Sequence, residues 1–311
     1  MKNQAEQQTV LLTGASSQLG VFLIPRLIAA GFRVVALSRK AATVLPETQQ
    51  NPLWVHPGTL GMGVGENPSG ETLQVDMLLS CGPLDLAIDA VRKFHGLERV
   101  VMFSTSSVFS KARSPDRGES DQIASIVAFE SELKAHCEQR ELPLLCIRPT
   151  LIYGCGLDRN ISLLAAWIRR HGWIPVAGQA SGLRQPVHAD DLAAVAVGAL
   201  IRENPLALDT PACGGSTLSY LHMVELIFDS LNKPRRIIKF PAGLMAGLTG
   251  LLAQTQLIKG LNREMVHRQN TNLVFDDTPL RQALDYHPRL FKPQAEDYEI
   301  PPSAMNYRQS D

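Results

Sequence analysis

Thr9-Val10-Leu11-Leu12-Thr13-Gly14-Ala15-Ser16-Ser17-Gln18-Leu19-Gly20 is the stretch whose reading decides the fold. It opens with a short apolar run, breaks at Thr13-Gly14, and passes into an apolar-periodic segment from Leu19 to Ala30. Gly31 follows where a helix-ending glycine belongs. A strand, a tight turn and a helix in that order let backbone N–H groups and the helix N-terminus face a pyrophosphate, where the helix dipole favours negative charge. Gly14 permits the turn, and Gly20 lets the helix pack close to the sheet. The spacing of the two glycines says little alone; its place between strand and helix gives it weight. An ordinary turn with a small-residue packing contact is the plainer alternative.

Outward from this stretch, strand and helix signals alternate. Val34-Val35-Ala36-Leu37, Met77-Leu78-Leu79, Val100-Val101-Met102-Phe103 and Leu144-Leu145-Cys146-Ile147 are continuous apolar runs of strand length. A helical pattern spans about Ile123 to Gln139. Buried strands separated by helices predict an α/β protein with a Rossmann-type doubly wound parallel sheet. Beyond Tyr153 the regularity weakens, with helical patterns at Ser162–His171, Ala189–Arg202 and Tyr220–Leu231 and prolines between them. We therefore expect a dinucleotide-binding Rossmann domain over 1–155 and a smaller substrate-side region over 156–311, with about 176–202 returning to the Rossmann core. The glycine- and proline-rich stretch Pro57–Gly70 reads as a loop.

Composition narrows the function classes. Across 311 residues, Lys+Arg and Asp+Glu each number 30, so the formal charge is zero. That balance, with no basic stripe, argues against nucleic acid as a partner. Cys81, Cys137, Cys146, Cys155 and Cys213 are odd in number and widely spaced, which argues against a zinc site and a disulfide framework and fits a reducing cytosol. The polar stretch Met1–Gln8 lacks the apolar run of a secretory signal. Phe240–Ile258 carries no charge, but Pro241, glycines and Gln254-Thr255-Gln256 dilute it, and a buried or amphipathic helix is expected there rather than a membrane span. A cytoplasmic protein is the expectation.

The second strand runs into Ser38-Arg39-Lys40, and no carboxylate appears until Glu47. A site for NAD(H) usually places an acidic residue here for the ribose 2′-OH. A guanidinium suits a 2′-phosphate instead, so NADP(H) is favoured with NAD(H) as the alternative, unless Arg39 and Lys40 are simply a solvated strand end. Ser104-Thr105-Ser106-Ser107-Val108-Phe109 follows another strand, and its hydroxyls suit either a ligand contact or a cap on the next turn.

These segments, taken in order with Arg148-Pro149-Thr150-Leu151-Ile152-Tyr153-Gly154 and Arg184-Gln185-Pro186-Val187-His188-Ala189-Asp190-Asp191, resemble the extended short-chain dehydrogenase/reductases. The likeness is to the atypical, epimerase/dehydratase-like members, and it runs to Tyr286-His287-Pro288-Arg289-Leu290-Phe291. The resemblance implies a nicotinamide cofactor touching Thr13, Gly14, Ser16, Ser17, Gln18, Leu19, Gly20, Ser38, Arg39, Lys40, Ser104, Arg148 and Pro149. It implies a small-molecule substrate, in some relatives a nucleotide sugar whose phosphates meet the Arg184 position, and a homodimer. Thr105 falls on the slot whose hydroxyl meets the reacting oxygen. Ser17 stands where a glycine is usual, and Leu151 where sugar-nucleotide enzymes often carry Asn.

The family's Tyr-x-x-x-Lys pair is the chief departure. In such a pair the tyrosine moves the proton while the lysine lowers its pKa and holds the ribose. Counting back from Arg148 puts Glu130 on a trailing glutamate of that pattern, Ile126 on the Lys slot and Gln122 on the Tyr slot. Thr105, Tyr153 and Lys111 remain as candidate proton carriers. His188 is read as loop support, Asp190 and Asp191 as carboxylates of a helix N-terminus, and no metal is expected. Three functions stay open: an NADP-dependent oxidoreductase or epimerase-like enzyme, a non-catalytic NADP(H)-binding sensor or assembly protein, or a scaffold that has lost the cofactor, against which the intact Gly14 and Gly20 count.

Overall fold

Val10, Leu11 and Leu12 are wholly buried, because β1 (Thr9–Thr13) lies at the centre of a parallel sheet covered on both faces. The computed structural model describes residues 7–39, 52–57, 73–111, 115–241, 243 and 268–302. Lys40, and nearly all of the stretches expected as a loop before Gly70 and as a helix after Phe240, lie outside the described residues.

Around β1 stand β2 (Arg33–Leu37), β3 (Leu53–Val55), β4 (Met77–Ser80), β5 (Arg99–Phe103), β6 (Leu144–Pro149) and β11 (Leu208–Ala212), and the spatial order is β11-β6-β5-β4-β1-β2-β3. Every pairing in this seven-stranded sheet is parallel. The chain winds outward from β1 to one side, then from β4 to the other. A crevice therefore opens between the C-terminal ends of β1 and β4, where ligands bind in such sheets.

Successive residues of each strand feed opposite cores. Val10 and Leu12 enter one core with α1 (Gln18–Ala29), while Leu11 enters the other with α2 (Leu84–Lys93) and α4 (Arg117–Gln139). Full burial of each such aliphatic side chain contributes about 1.5–3 kcal/mol. Helix α4 buries Ile123, Glu130, Leu133 and Cys137, a spacing that keeps one face inward. Gly31, at φ +87, ends α1 in the left-handed region and lets the chain turn into β2.

Between β5 and α4 lies the short α3 (Ser107–Ser110). After β6 the chain forms β7 (Leu151–Tyr153), α5 (Ile161–His171), β8 (Ile174–Ala177), β9 (Leu183–Arg184) and β10 (Pro186–His188), with α5 and β8 in a third core. Helix α6 (Ala189–Ile201) then rejoins the first core against α1. Strand β11 extends the sheet from a position beyond residue 202. The strand β12 (Leu218–Ser219) and helix α7 (Tyr220–Ser230) complete the third core, and β13 (Ile237–Phe240) pairs with β8. The chain ends in α8 (Thr278–Leu284) and a 3-10 turn at Ala295–Tyr298.

Candidate functional site

The turn after β1 is built around contact between two backbones. Gly14 has φ +70, and a Cβ there would stand 2.5 Å from the backbone of Gly82, which follows β4. A Cβ at Gly20 would collide with the Ala15 carbonyl. Both glycines are therefore required by close approach, which brings the N-terminus of α1 over the crevice. Ser17 caps that helix, its Oγ accepting from Gly20 N at 3.3 Å. A glycine would leave this cap unmade, so the departure from the usual glycine has a local reason.

The remaining loop residues divide between structure and exposure. Thr13 is fully buried and donates its hydroxyl to Ser80 Oγ at 2.9 Å, and Leu19 is in the core. Ser38 Oγ donates to Ser16 Oγ at 3.0 Å, joining the ends of the two strands, and Arg39 beside it is exposed. Gln18 Nε2 donates to the Gly154 carbonyl at 2.8 Å and ties the loop to the end of β7. Cys81, which belongs to none of the sequence motifs, sits 3.4 Å from Ser17 Oγ and donates to Thr13 O at 3.1 Å. Burial pushes its thiol up to about 12.

Two cavities open beside this loop. One, about 530 Å³, runs from Leu19, Cys81 and Gly82 across Ser104 and Pro149 to Gln122, Ile126 and Phe129 of α4. The other, about 400 Å³, is walled by Gln18, Lys111, Tyr220, Arg184 and Arg268. Thr105 and Ile152 line both. Thr105 Oγ1 accepts from Ser107 N at 3.1 Å, which caps α3 and leaves its own proton for another acceptor. The hydroxyl-rich end of β5 thus serves as a cap and as the common wall of both cavities.

Gln122 and Ile126 share one face of α4 and line the first cavity together. Lys134, two turns further along, instead pairs with Asp209 of β11 at 2.6 Å. The Arg148 guanidinium is taken up by two carboxylates, with Nη1 and Nη2 donating to Glu130 and Nε and Nη2 to Asp209. Ser104 Oγ donates to the same Glu130. Burial alone would lower the Arg148 pKa, but the bonds to Asp209 and Glu130 hold it above its ordinary value.

Tyr153 is 1% exposed, and its ring packs edge-on against His188 and Phe291. It is in the wall of neither cavity, and burial raises its hydroxyl pKa. His188 is a capping residue: its Nδ1 accepts from Asp190 N at 3.0 Å, and Nε2 meets Asp297 at 3.2 Å. Asp190 and Asp191 open α6 and pair with Arg289, and Asp190 also with Arg26. No cluster of potential metal ligands occurs among the described residues.

Arg184 holds the most unusual charge in the second cavity. It is buried, lies over the Tyr220 ring, and donates to the carbonyls of Leu183, Thr271 and Arg268. No carboxylate pairs with it among the described residues, and burial lowers its pKa to about 10. Arg268, which the sequence pattern did not mark, lines the same cavity and makes a two-pronged pair with Glu119 at 2.7 and 2.8 Å.

The doubly wound sheet, the glycine turn at its switch point and the crevice above it define a Rossmann-type α/β architecture. The sequence model of the NAD dependent epimerase/dehydratase family matches residues 82–206. An uncharacterized protein of Sinorhizobium fredii is 24% identical over 306 residues, covering 91% of this chain and 75% of that one. An epimerase of Methanothermobacter thermautotrophicus superposes with a TM-score of 0.66 at 15% identity, covering 98% of this chain and 95% of that one. A UDP-glucuronic acid 4-epimerase of Bacillus cereus, solved with UDP-glucuronic acid and NAD, gives 0.63 at 13%, covering 97% and 99%. No helix among the described residues is long and apolar enough to cross a membrane.

Proposed function

We propose that this protein is an oxidoreductase or epimerase-like enzyme that binds a nicotinamide dinucleotide in the first cavity and an anionic small molecule, of nucleotide-sugar type, in the second. The observation that carries the reading is the pair of residues, Thr105 and Ile152, that line both cavities, with the buried Arg184, paired with no carboxylate among the described residues, in the second. A nicotinamide held there supplies a hydride acceptor or donor. The residues fit such a group: the α1 N-terminus and a turn closed to any Cβ at Gly14 or Gly20 suit a pyrophosphate. Exposed Arg39 suits a 2′-phosphate, which favours NADP(H) over NAD(H). NAD accompanies UDP-glucuronic acid in the Bacillus cereus epimerase, which supports the pairing of dinucleotide and sugar nucleotide.

In this reading Thr105 donates its hydroxyl to the substrate's reacting oxygen, and Arg184 binds phosphate through the nitrogen its carbonyl partners leave open. Arg184 is matched to that task because a buried guanidinium without a counter-ion gains most from an arriving anion. The same reading places the protein in the cytoplasm as a homodimer, which sedimentation of the purified chain tests.

A second reading, dinucleotide binding without turnover, is favoured by Gln122 and Ile126. The α4 positions facing the cofactor cavity hold an amide and an aliphatic chain, and neither titrates. One experiment separates the two: NADPH or NADH is mixed with the protein and a panel of UDP-sugars, and the nicotinamide absorbance is followed. Turnover supports the enzyme; dinucleotide binding with no absorbance change for any sugar supports the second reading; failure to bind either dinucleotide removes both.

A further inference from the structure

Lys111 and Arg268 line the substrate-side cavity from distant points of the sequence, one at the C-terminal end of α3 and one in the segment whose carbonyls cradle Arg184. Glu119, in the first turn of α4, joins them. Its carboxylate takes Nη1 and Nη2 of Arg268 at 2.7 and 2.8 Å, and Lys111 Nζ lies 3.5 Å from Oε1. Glu119 itself is not part of the cavity wall. The two cations that line the cavity are thus held side by side by a carboxylate that does not line it.

Charge in that space is one-sided. Among the described residues, three cationic side chains, Lys111, Arg184 and Arg268, line the cavity against one carboxylate, Asp158. That carboxylate is already engaged at the start of α5, accepting from Asn160 N and Ser162 N at 3.0 Å each. One phosphate-bearing group at Arg184 leaves Lys111 and Arg268 without a partner of their own inside. Their place in the fold indicates which end of a substrate they meet. Thr105, which lines both cavities, accepts from Ser107 N at the start of α3, and Lys111 closes that same helical turn through Lys111 N to Ser107 O at 2.8 Å. The Arg184 guanidinium instead lies over Tyr220 of α7 and donates to the backbone carbonyls of Leu183, Arg268 and Thr271.

We propose that Lys111 and Arg268, held by Glu119, form a subsite for an acidic group at the reacting end of the substrate, so that the favoured sugar nucleotides carry a carboxylate on the sugar. This rests on the reading of the cavity as a sugar-nucleotide site. The segment carrying Arg268 keeps its place without the Glu119 pair, because Gln269 O accepts from Gly182 N, Gln269 Oε1 from Ala177 N, and Asn270 Nδ2 donates to Ala177 O. Substitution at either cation therefore removes charge from the cavity with the wall left standing.

The test is calorimetric titration of the full chain with UDP-glucose and UDP-glucuronic acid, and with glucose 1-phosphate and glucuronic acid 1-phosphate as a nucleotide-free pair. The parent is expected to bind each acidic ligand roughly tenfold more tightly than its neutral counterpart, the scale of one added charge-assisted contact. Lys111→Gln and Arg268→Gln should each erase most of that preference and leave the neutral ligands within about twofold, while Arg184→Gln weakens acidic and neutral ligands alike. Thermal melts of the variants confirm that each is folded. Equal affinity of the parent for both members of each pair overturns the proposal, as does a loss in the Lys111 and Arg268 variants that is the same for acidic and neutral ligands. An acid preference that depends on Lys111 and Arg268, with the affinity for all four ligands unchanged by Arg184→Gln, upholds the subsite and removes the sugar-nucleotide reading. Binding of none of the four ligands removes both.

Discussion

Arg148 on β6 and Glu130 on α4 face each other as a buried two-pronged ion pair, with both nitrogen-to-oxygen distances at 2.8 Å and both side chains 5% exposed. The pair fastens the longest helix to the sheet beside the strand end that carries Ser104 and Thr105. Asp209 takes the remaining edge of the guanidinium, and Lys134 closes the chain of charges. Such a network stabilises only when complete, because each partner left alone is a desolvated charge.

Arg148→Met strands Glu130 in the core and should cost about 3–5 kcal/mol of stability. Urea unfolding of parent and variant measures the difference. A loss below about 1 kcal/mol would mean that Glu130 finds water or another donor.

Acid should act on the same network through Asp209. Burial would raise its pKa, but the bonds from Arg148 and Lys134 hold it down to about 2, below the ordinary 3.8. A depressed carboxylate contributes stability that is complete above the unfolded value and is lost as pH falls through the folded one. Stability is therefore expected to fall between about pH 4 and pH 2, by about 1 kcal/mol after allowing for the 37% exposure of the side chain. Urea midpoints across that range, parent against Asp209→Asn, test this; parallel curves for the two proteins would refute it.

Arg39→Ala should weaken NADPH by roughly 1.5–3 kcal/mol, the range for hydrogen bonds to a charged group, and leave NADH nearly unchanged. Fluorescence titration with both dinucleotides decides it. Equal affinity of the parent for the two removes the basis for NADP(H) preference.

Gly20→Val is expected to abolish dinucleotide binding, since the first added carbon meets the Ala15 carbonyl and forces α1 away from the turn. Overpacking of this kind costs about 1–3 kcal/mol, so the fold survives while the loop is displaced. Retention of parental affinity by a folded Gly20→Val protein would place the phosphates elsewhere.

Lys134→Ala should leave dinucleotide affinity within about twofold, as suits a lysine half-exposed beyond the site. It lies about 12 Å along the helix from Ile126, and its ammonium is turned to Asp209. A tenfold loss would instead make Glu130 and Lys134 the working pair and shift the slots now given to Gln122 and Ile126.

Much of the fold is legible in local pattern. The runs at Val10–Leu12, Val34–Leu37, Val100–Phe103 and Leu145–Ile147 are uninterrupted because both faces of a central parallel strand are buried, and that requirement is written into consecutive residues. Gly14, Gly20 and Gly31 mark places where a Cβ or a negative φ is excluded, a constraint visible in residue type alone. Edge strands are less visible. Strand β3 has three residues, and β11 contains Asp209 and Pro211, which an edge tolerates and a central strand does not. Helix α2, amphipathic and following Gly82-Pro83, carries the same periodic pattern in its buried Leu84, Ala87, Ile88 and Val91.

Tertiary structure alone decided the partners. Arg148 reads along the chain as part of a cofactor-side motif, yet its charge is spent on Glu130 and Asp209, the latter 61 residues away. Tyr153 ends a strand near the crevice but turns into the third core, since an aromatic ring there is held by His188 and Phe291. Glu119 and Arg268 meet across 149 residues. Hydrophobic period and glycine steric demands act between neighbours and so survive in the linear sequence. Which buried charge meets which depends on the order of strands and the path of the returning chain, and that order exists only once the sheet has closed around β1.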